Sequence, residues 1–260
     1  MGFFDKLFEK KYCDLCGEKL GVFGGTKVKD GRLCKHCVAK FSPWFSNYGS
    51  NTLEEIKEHL AYREANKEEV KNFNITHVVG SKYQKLYIDA DSKRFIISSS
   101  SNWRTGNPDI LSFDQIIDSD LKINENKREI KKKDEEGKEV SYNPKRYEYS
   151  YNFLVNLALN SPWFNSVSIR INSSSIDGYD NDEYEEAYIN SEWISEVLNI
   201  MKEGGNPEVL DQCVEYYKNL LARPRRSYGR DYYYYQDDRK YSRSKDYYLS
   251  RDPRRSHYKF

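Results

Sequence analysis

Cys13, Cys16, Cys34 and Cys37 form two Cys-x-x-Cys pairs separated by seventeen residues, the spacing of a four-thiolate zinc site. Each Cys-x-x-Cys turn brings two soft sulfur ligands within reach of one ion, and the second turn completes a tetrahedron. Gly17 follows Cys16 directly, where the absence of a Cβ lets the backbone bend and aim amides at the sulfurs. Four thiolates leave no open coordination position, so the spacing predicts one structural zinc ion rather than a catalytic one. A redox dithiol is the rival chemistry, but it goes with a lone Cys-x-x-Cys beside a βαβ pattern. Disulfides are the second rival; against them, no secretory signal is legible and the cysteines number five, an odd count with Cys213 the fifth. His36 lies inside the second knuckle and could reach the metal, yet four cysteines already fill the shell.

Other chemistry is harder to find. The four histidines, His36, His59, His77 and His257, are widely spread, with no Ser/His/Asp or Cys/His grouping. His59 reads as a residue on the polar side of a helix and His77 as a strand residue, both ordinary surface or half-buried side chains. No glycine-rich phosphate loop occurs. Asp177, Asp180, Asp182, Glu183, Glu185 and Glu186 lack the spacing of a calcium loop and fall where a helix begins, where carboxylates complement the macrodipole. Cys213 shares the apolar side of a helix with Val209, Leu210, Val214, Tyr217 and Leu220 and reads as core. No catalytic residues are expected.

Between the cysteine pairs, Thr26 to Lys29 and Arg32-Leu33 flank Asp30-Gly31, a hairpin signal. Val38 to Phe41 make a helical turn closed by Ser42-Pro43. Knuckle, hairpin, knuckle and short helix suggest a treble-clef module, with a zinc ribbon as the close alternative. Thr52 and Glu55 form a capping box ahead of a helix carrying Leu53, Ile56, Leu60 and Ala61; Asn66 and Glu69 suggest a second short helix through Phe73. The period then changes to two. Strands are predicted over 75–79, 85–89, 94–98, 113–123 and 128–132, with a turn at 124–127. The clearest strand is Tyr147 to Leu159, and Val167, Ile169 and Ile171 make another. A helix over Tyr184 to Met201 ends at Gly204-Gly205, and Asn206-Pro207 opens a last one through Leu221. About seven antiparallel strands followed by a C-terminal helix suggest a pleckstrin-homology-like barrel.

The chain has 260 residues, 38% hydrophobic and 32% charged, with a net charge of +1. That balance hides an asymmetry. Residues 224–260 hold eleven Lys or Arg against five Asp, and nine of the 23 tyrosines; such a segment buries too little to offset its ordering entropy and is predicted to be disordered. No apolar run is long enough to span a membrane. The start lacks a cleavable signal, so a cytoplasmic location is expected. Phe3, Phe4, Leu7 and Phe8 share a helical face whose expected use is packing onto the zinc module, not peripheral membrane contact.

The stretches Cys13-Asp14-Leu15-Cys16-Gly17, Asp30-Gly31-x-Leu33-Cys34-Lys35-x-x-Cys37 and Leu53-Glu54-Glu55-Ile56-Lys57, with Ser42-Pro43-Trp44-Phe45 between them, resemble a bacterial zinc-module family classed as a domain of unknown function. Val140 to Pro144 and Arg146 to Tyr151 are also similar to these proteins. The likeness runs over roughly residues 1–200 and implies metal binding at the four cysteines, with no established activity. The expected organisation is α+β. A zinc module over 1–50 and a helical connector over 51–73 precede an antiparallel β domain with its helix over 74–203. An appended helix over 204–223 and the Tyr/Arg-rich tail over 224–260 complete the chain. The expected function is non-catalytic: a zinc-binding adaptor for an unknown protein partner. The alternative is nucleic-acid binding through the zinc module and tail, with Arg225, Arg226, Arg230, Arg254 and Arg255 meeting phosphates.

Overall fold

The computed structural model describes residues 12–21, 24–178 and 180–223. The predicted hairpin is present: β1 (Thr26–Lys27) pairs antiparallel with β2 (Arg32–Leu33). Its turn is tied to the start of a long helix, α2 (Leu53–Asn72), because Asp30 Oδ1 accepts the Leu53 amide at 2.7 Å. Between them a four-residue helix, α1 (Lys35–Val38), carries the second knuckle. Helix α2 starts at the Thr52 capping box, where Thr52 N donates to Glu55 at 2.7 Å.

The sequence suggests a break in this helix at Asn66, but α2 is continuous. Asn66 is buried inside it, and its amide donates to Asn107 Oδ1 at 2.8 Å and to the Pro108 carbonyl at 2.7 Å. Its own oxygen accepts from the Ile110 amide at 3.1 Å. A capping residue type is here spent on tertiary contacts.

The first sheet is a meander of β3 (His77–Gly80), β4 (Lys85–Asp89), β5 (Arg94–Ser98) and β6 (Ile110–Ser112). The three residues of β6 are too few for a period-two signal. The second sheet is built on two long strands, β7 (Ile116–Lys133) and β8 (Glu139–Leu159); β9 (Ser166–Arg170) and β10 (Ile176–Asp177) pair with β8 on its other side. The turn expected at 124–127 is overturned: Asn124 faces Asn152 and Lys127 faces Tyr149 inside a ladder that is regular from Asp118 to Ile130. Cross-strand pairs override the turn-forming residue types. Lys127 Nζ lies 4.0 Å above the Tyr147 ring, and Arg128 pairs with Glu148.

Strand β8 alternates as its sequence requires. Tyr151, Phe153, Val155, Leu157 and Leu159 are buried, and the residues between them face outward. Helix α3 (Asn181–Lys202) lays Trp193, Ile194, Val197, Leu198 and Met201 into the same core. Helix α4 (Pro207–Leu221) adds Leu210, Val214 and Tyr217, with Tyr217 stacked on Trp193 at 6.1 Å; Cys213 is half-buried against the core and Val209 is largely exposed. The two helices meet at Gly205, whose φ of +67° and close approach to the Phe113 ring leave no room for a side chain.

The architecture is thus α+β: an N-terminal four-cysteine cluster, antiparallel sheets and C-terminal helices. Among the described residues β3 to β10 make eight strands in two sheets, with β7 and β8 far longer than the short strands that suggested a pleckstrin-homology-like barrel. Among the described residues no ladder joins the two sheets. They are bridged by side chains, with Arg170 N donating to Gln84 Oε1 at 2.5 Å.

Candidate metal centre

The first knuckle is shaped by its backbone. Cys13 N donates to the Glu18 carbonyl and Gly17 N to the Cys13 carbonyl, both at 2.8 Å, with Gly17 in the left-handed region at φ +72°. Asp14 fixes this turn to the hairpin: its Oδ2 accepts the Arg32 amide at 2.7 Å, and its own amide donates to the Arg32 carbonyl at 3.0 Å. In the second knuckle Cys34 caps α1, and its Sγ accepts the Cys37 amide at 3.4 Å.

These turns bring the four sulfurs within 4.8 Å of one another. Cys13 Sγ lies 3.8 Å from Cys37 Sγ, and Cys16 Sγ lies 3.6 Å from Cys34 Sγ. Zinc–sulfur bonds of ~2.3 Å in a tetrahedron place neighbouring sulfurs about 3.8 Å apart. The cluster therefore fits one tetrahedral ion, and its separations are far beyond the ~2.05 Å of a disulfide. Cys13, Cys34 and Cys37 are buried, while Cys16 faces outward.

The electrostatics agree. Burial pushes the Cys13 thiol up, but amides of Cys34, Cys16 and Leu15 outweigh it and bring it down to about 6. Burial and the neighbouring cysteines raise Cys37, and burial is the first cause that raises Cys34. Four thiolates this close ionise together only around a cation. His36 is exposed and gives its Nδ1 to Glu18 Oε2 at 2.9 Å. That bond, then one from Cys34, holds the Glu18 carboxyl below its usual range. Glu18 and His36 adjoin the cluster through Cys34, placing them beside the thiolate shell.

The centre is not packed alone. Leu20, Val28, Leu33, Phe41 and Phe45 bury against the cysteines together with Ile56 of α2, and Trp163 closes the cluster from the loop after β8. Beside it runs a buried polar network. Ser42 N donates to His59 Nε2 at 3.1 Å, and Ser42 Oγ donates to Asp109 Oδ2 at 2.8 Å. Asp109 Oδ1 accepts from Tyr62 Oη at 3.0 Å and from Arg63 Nη1 at 2.8 Å. Burial, then the Asp109 charge, raises the Tyr62 hydroxyl.

His59, expected at or near the surface, is fully buried among Phe41, Phe45 and Trp163, with ring centroids 4.2–5.5 Å away. Ser42, His59 and Asp109 do meet, but the serine hydroxyl serves the aspartate and the imidazole accepts a backbone amide. The group ties the metal module to the first sheet. The signal for it lay in the spacing: His59, Arg63, Asn66 and Val70 follow a helical period and are all buried on one face of α2.

Because Nε2 accepts, the His59 proton sits on Nδ1, which has no partner among the described residues. Burial, then the Arg63 charge, lowers the imidazole from 6.5 to about 4. A base depressed in the folded state contributes stability that is complete above about pH 6.5 and is lost as pH falls toward 4. At pH 5 the expected loss from this residue is about 2 kcal/mol. Urea titrations at pH 7.5 and pH 5 check this. His59→Gln, which keeps an acceptor for Ser42, should remove that part of the pH dependence.

The acidic cluster serves the helix it precedes. Asp180 caps α3, accepting the Glu183 amide at 2.9 Å, with Asp182 and Glu183 in the first turn. Arg225, Arg226, Arg230, Arg254 and Arg255, the tail around them, and Phe3, Phe4, Leu7 and Phe8 lie outside the described residues. Among the described residues no helix is long and apolar enough to cross a membrane.

No curated protein and no solved structure matches the chain. Residues 11–59 match a family model described as a domain of unknown function (DUF4428), a much shorter stretch than the resemblance over residues 1–200 implies. The matched segment holds all four cysteines, the hairpin and the start of α2.

Proposed function

We propose that this chain is a cytoplasmic, non-catalytic adaptor in which one structural zinc ion fixes an N-terminal module against a β-rich body that engages a protein partner. The observation carrying this reading is the four-sulfur cluster, whose spacing fits a closed tetrahedral shell with no position left for water or substrate. Reduced thiolates at such a site suit a reducing compartment. The network through Ser42 and Asp109 supports a rigid pairing of module and body, which is what a binding platform requires.

The test is affinity capture of the intact chain and of Cys34→Ser, with protein and nucleic acid quantified in each eluate. The expected result is a defined, stoichiometric protein partner that Cys34→Ser fails to retain. Capture of nothing above background would sink the adaptor reading. Nucleic acid as the dominant species, lost on deleting residues 224–260, would replace it with the nucleic-acid alternative.

A further inference from the structure

The far part of the β7–β8 ribbon is used by neither the metal centre nor the cores. Leu121, Ile123, Tyr149 and Tyr151 still pack against the core, but from Arg128 to Glu148 no side chain is buried, and the ladder runs on to Lys133↔Glu139 with the tip at 134–138. Among the described residues β7 has β8 as its one partner strand, since β9 and β10 lie on the opposite side of β8. A bare two-stranded ribbon is marginal in water, and an unpaired edge is a template for another strand.

The two edges of this ribbon are not equivalent. On β8 the register jumps from Arg146 to Ser141 opposite Ile130 and Lys131. Tyr142 to Lys145 are therefore displaced from the ladder, and Pro144 has no N–H to offer. The irregularity falls on β8. From Asn124 to Lys133 the β7 strand contains no proline and no skipped residue. Residues 127–133 read Lys-Arg-Glu-Ile-Lys-Lys-Lys, five cations to one anion. Alternation places Lys127, Lys131 and Lys133 on one face and Arg128 and Lys132 on the other. The nearby acids on β8 offset them in part: Glu148 pairs with Arg128, and Glu139 approaches Lys131 at 3.8 Å.

We propose that β7 accepts an extended acidic segment of a partner protein as a third strand. Its backbone would pair with the outward N–H and C=O groups between Asn124 and Lys133, and its carboxylates would meet Lys131, Lys132 and Lys133. Basic residues on both faces repel cationic strands, including β7 of a second copy, and favour an acidic one over a neutral one. Nucleic acid fits less well. Phosphates offer the edge carbonyls no donor, whereas the N–H groups of an extended strand do. This inference rests on the adaptor reading and names where its partner docks.

The test uses the isotope-labelled full chain and three probes: an octapeptide alternating Glu with Thr and Val, the same peptide with Lys for Glu, and a short DNA duplex. The acidic peptide should bind saturably and slow hydrogen exchange at alternate amides between Asn124 and Lys133 by at least about tenfold. Lys131→Glu with Lys133→Glu, both exposed, should weaken it about tenfold, and the lysine peptide should not bind. Binding without amide protection, tighter binding of the duplex, or no saturation at millimolar peptide would each overturn the proposal. Partner capture unchanged by the double charge reversal would also overturn it while leaving the adaptor reading intact. Failure of capture by the unmodified chain would instead remove that reading.

Discussion

Replacing Cys37 by serine is expected to abolish metal retention and unfold residues 12–50. Cys37 is 5% exposed, its sulfur is 3.8 Å from that of Cys13, and its amide caps back onto Cys34. A serine oxygen is a hard, weakly acidic substitute for a thiolate, and the three sulfurs left would hold zinc poorly. The module has only a handful of buried apolar side chains around the cluster, Leu20, Val28, Leu33, Phe41 and Phe45 among them. Metal binding at such sites supplies on the order of 10 kcal/mol, which is folding free energy.

The effect should stop part-way along α2. Leu53, Ile56 and Leu60 pack against the module, whereas Val70 and Phe73 pack with Ile96 and Trp103 of the sheet side. Hydrogen exchange should therefore show lost protection through about the first two turns of α2, with Leu86, Ile88, Phe153 and Val155 still slow. A Cys37→Ser protein that keeps stoichiometric zinc and native exchange in residues 12–50 would contradict the assignment.

Asp109→Ala should destabilise the whole protein by about 3–5 kcal/mol. Asp109 is 1% exposed and accepts bonds from Ser42, Tyr62 and Arg63, and the Arg63 side chain is itself buried. Removing the carboxylate strands a guanidinium charge away from water and leaves two hydroxyls without their acceptor. Arg63→Met combined with Asp109→Leu should recover a large part of the loss, because no unpaired charge then remains. Urea denaturation of the wild type, the single variant and the double variant decides the matter. A loss below about 1 kcal/mol for Asp109→Ala would mean that the network does not couple module to sheet.

The parts of the fold that could be read from sequence were those in which one local rule governs the outcome. The knuckles, the Asp30-Gly31 turn and the Thr52 cap each have such a rule and are found, and the alternation expected from Tyr147 to Leu159 is found from Tyr151 onward. The misreadings occur where a distant partner decides. Asn66 has the residue type of a cap, yet its amide belongs to Asn107 and Pro108. Asn124 to Lys127 have turn composition, yet tyrosines on β8 hold them in a strand.

The four-cysteine cluster was legible because identity and spacing suffice for a four-thiolate shell. The network behind them was not, since Ser42, Asp109 and the buried face of α2 are polar residues joined only by the fold. His59 shows the cause most plainly: a histidine on a polar helical stripe reads as solvated until the stripe proves to face inward.

Native mass spectrometry of the freshly purified chain tests the central claim most directly. One zinc ion per chain, released by chelator with the return of four thiol protons, is the predicted result. A metal-free chain whose residues 12–50 remain folded, or a mass short by the hydrogens of two disulfides, would contradict it.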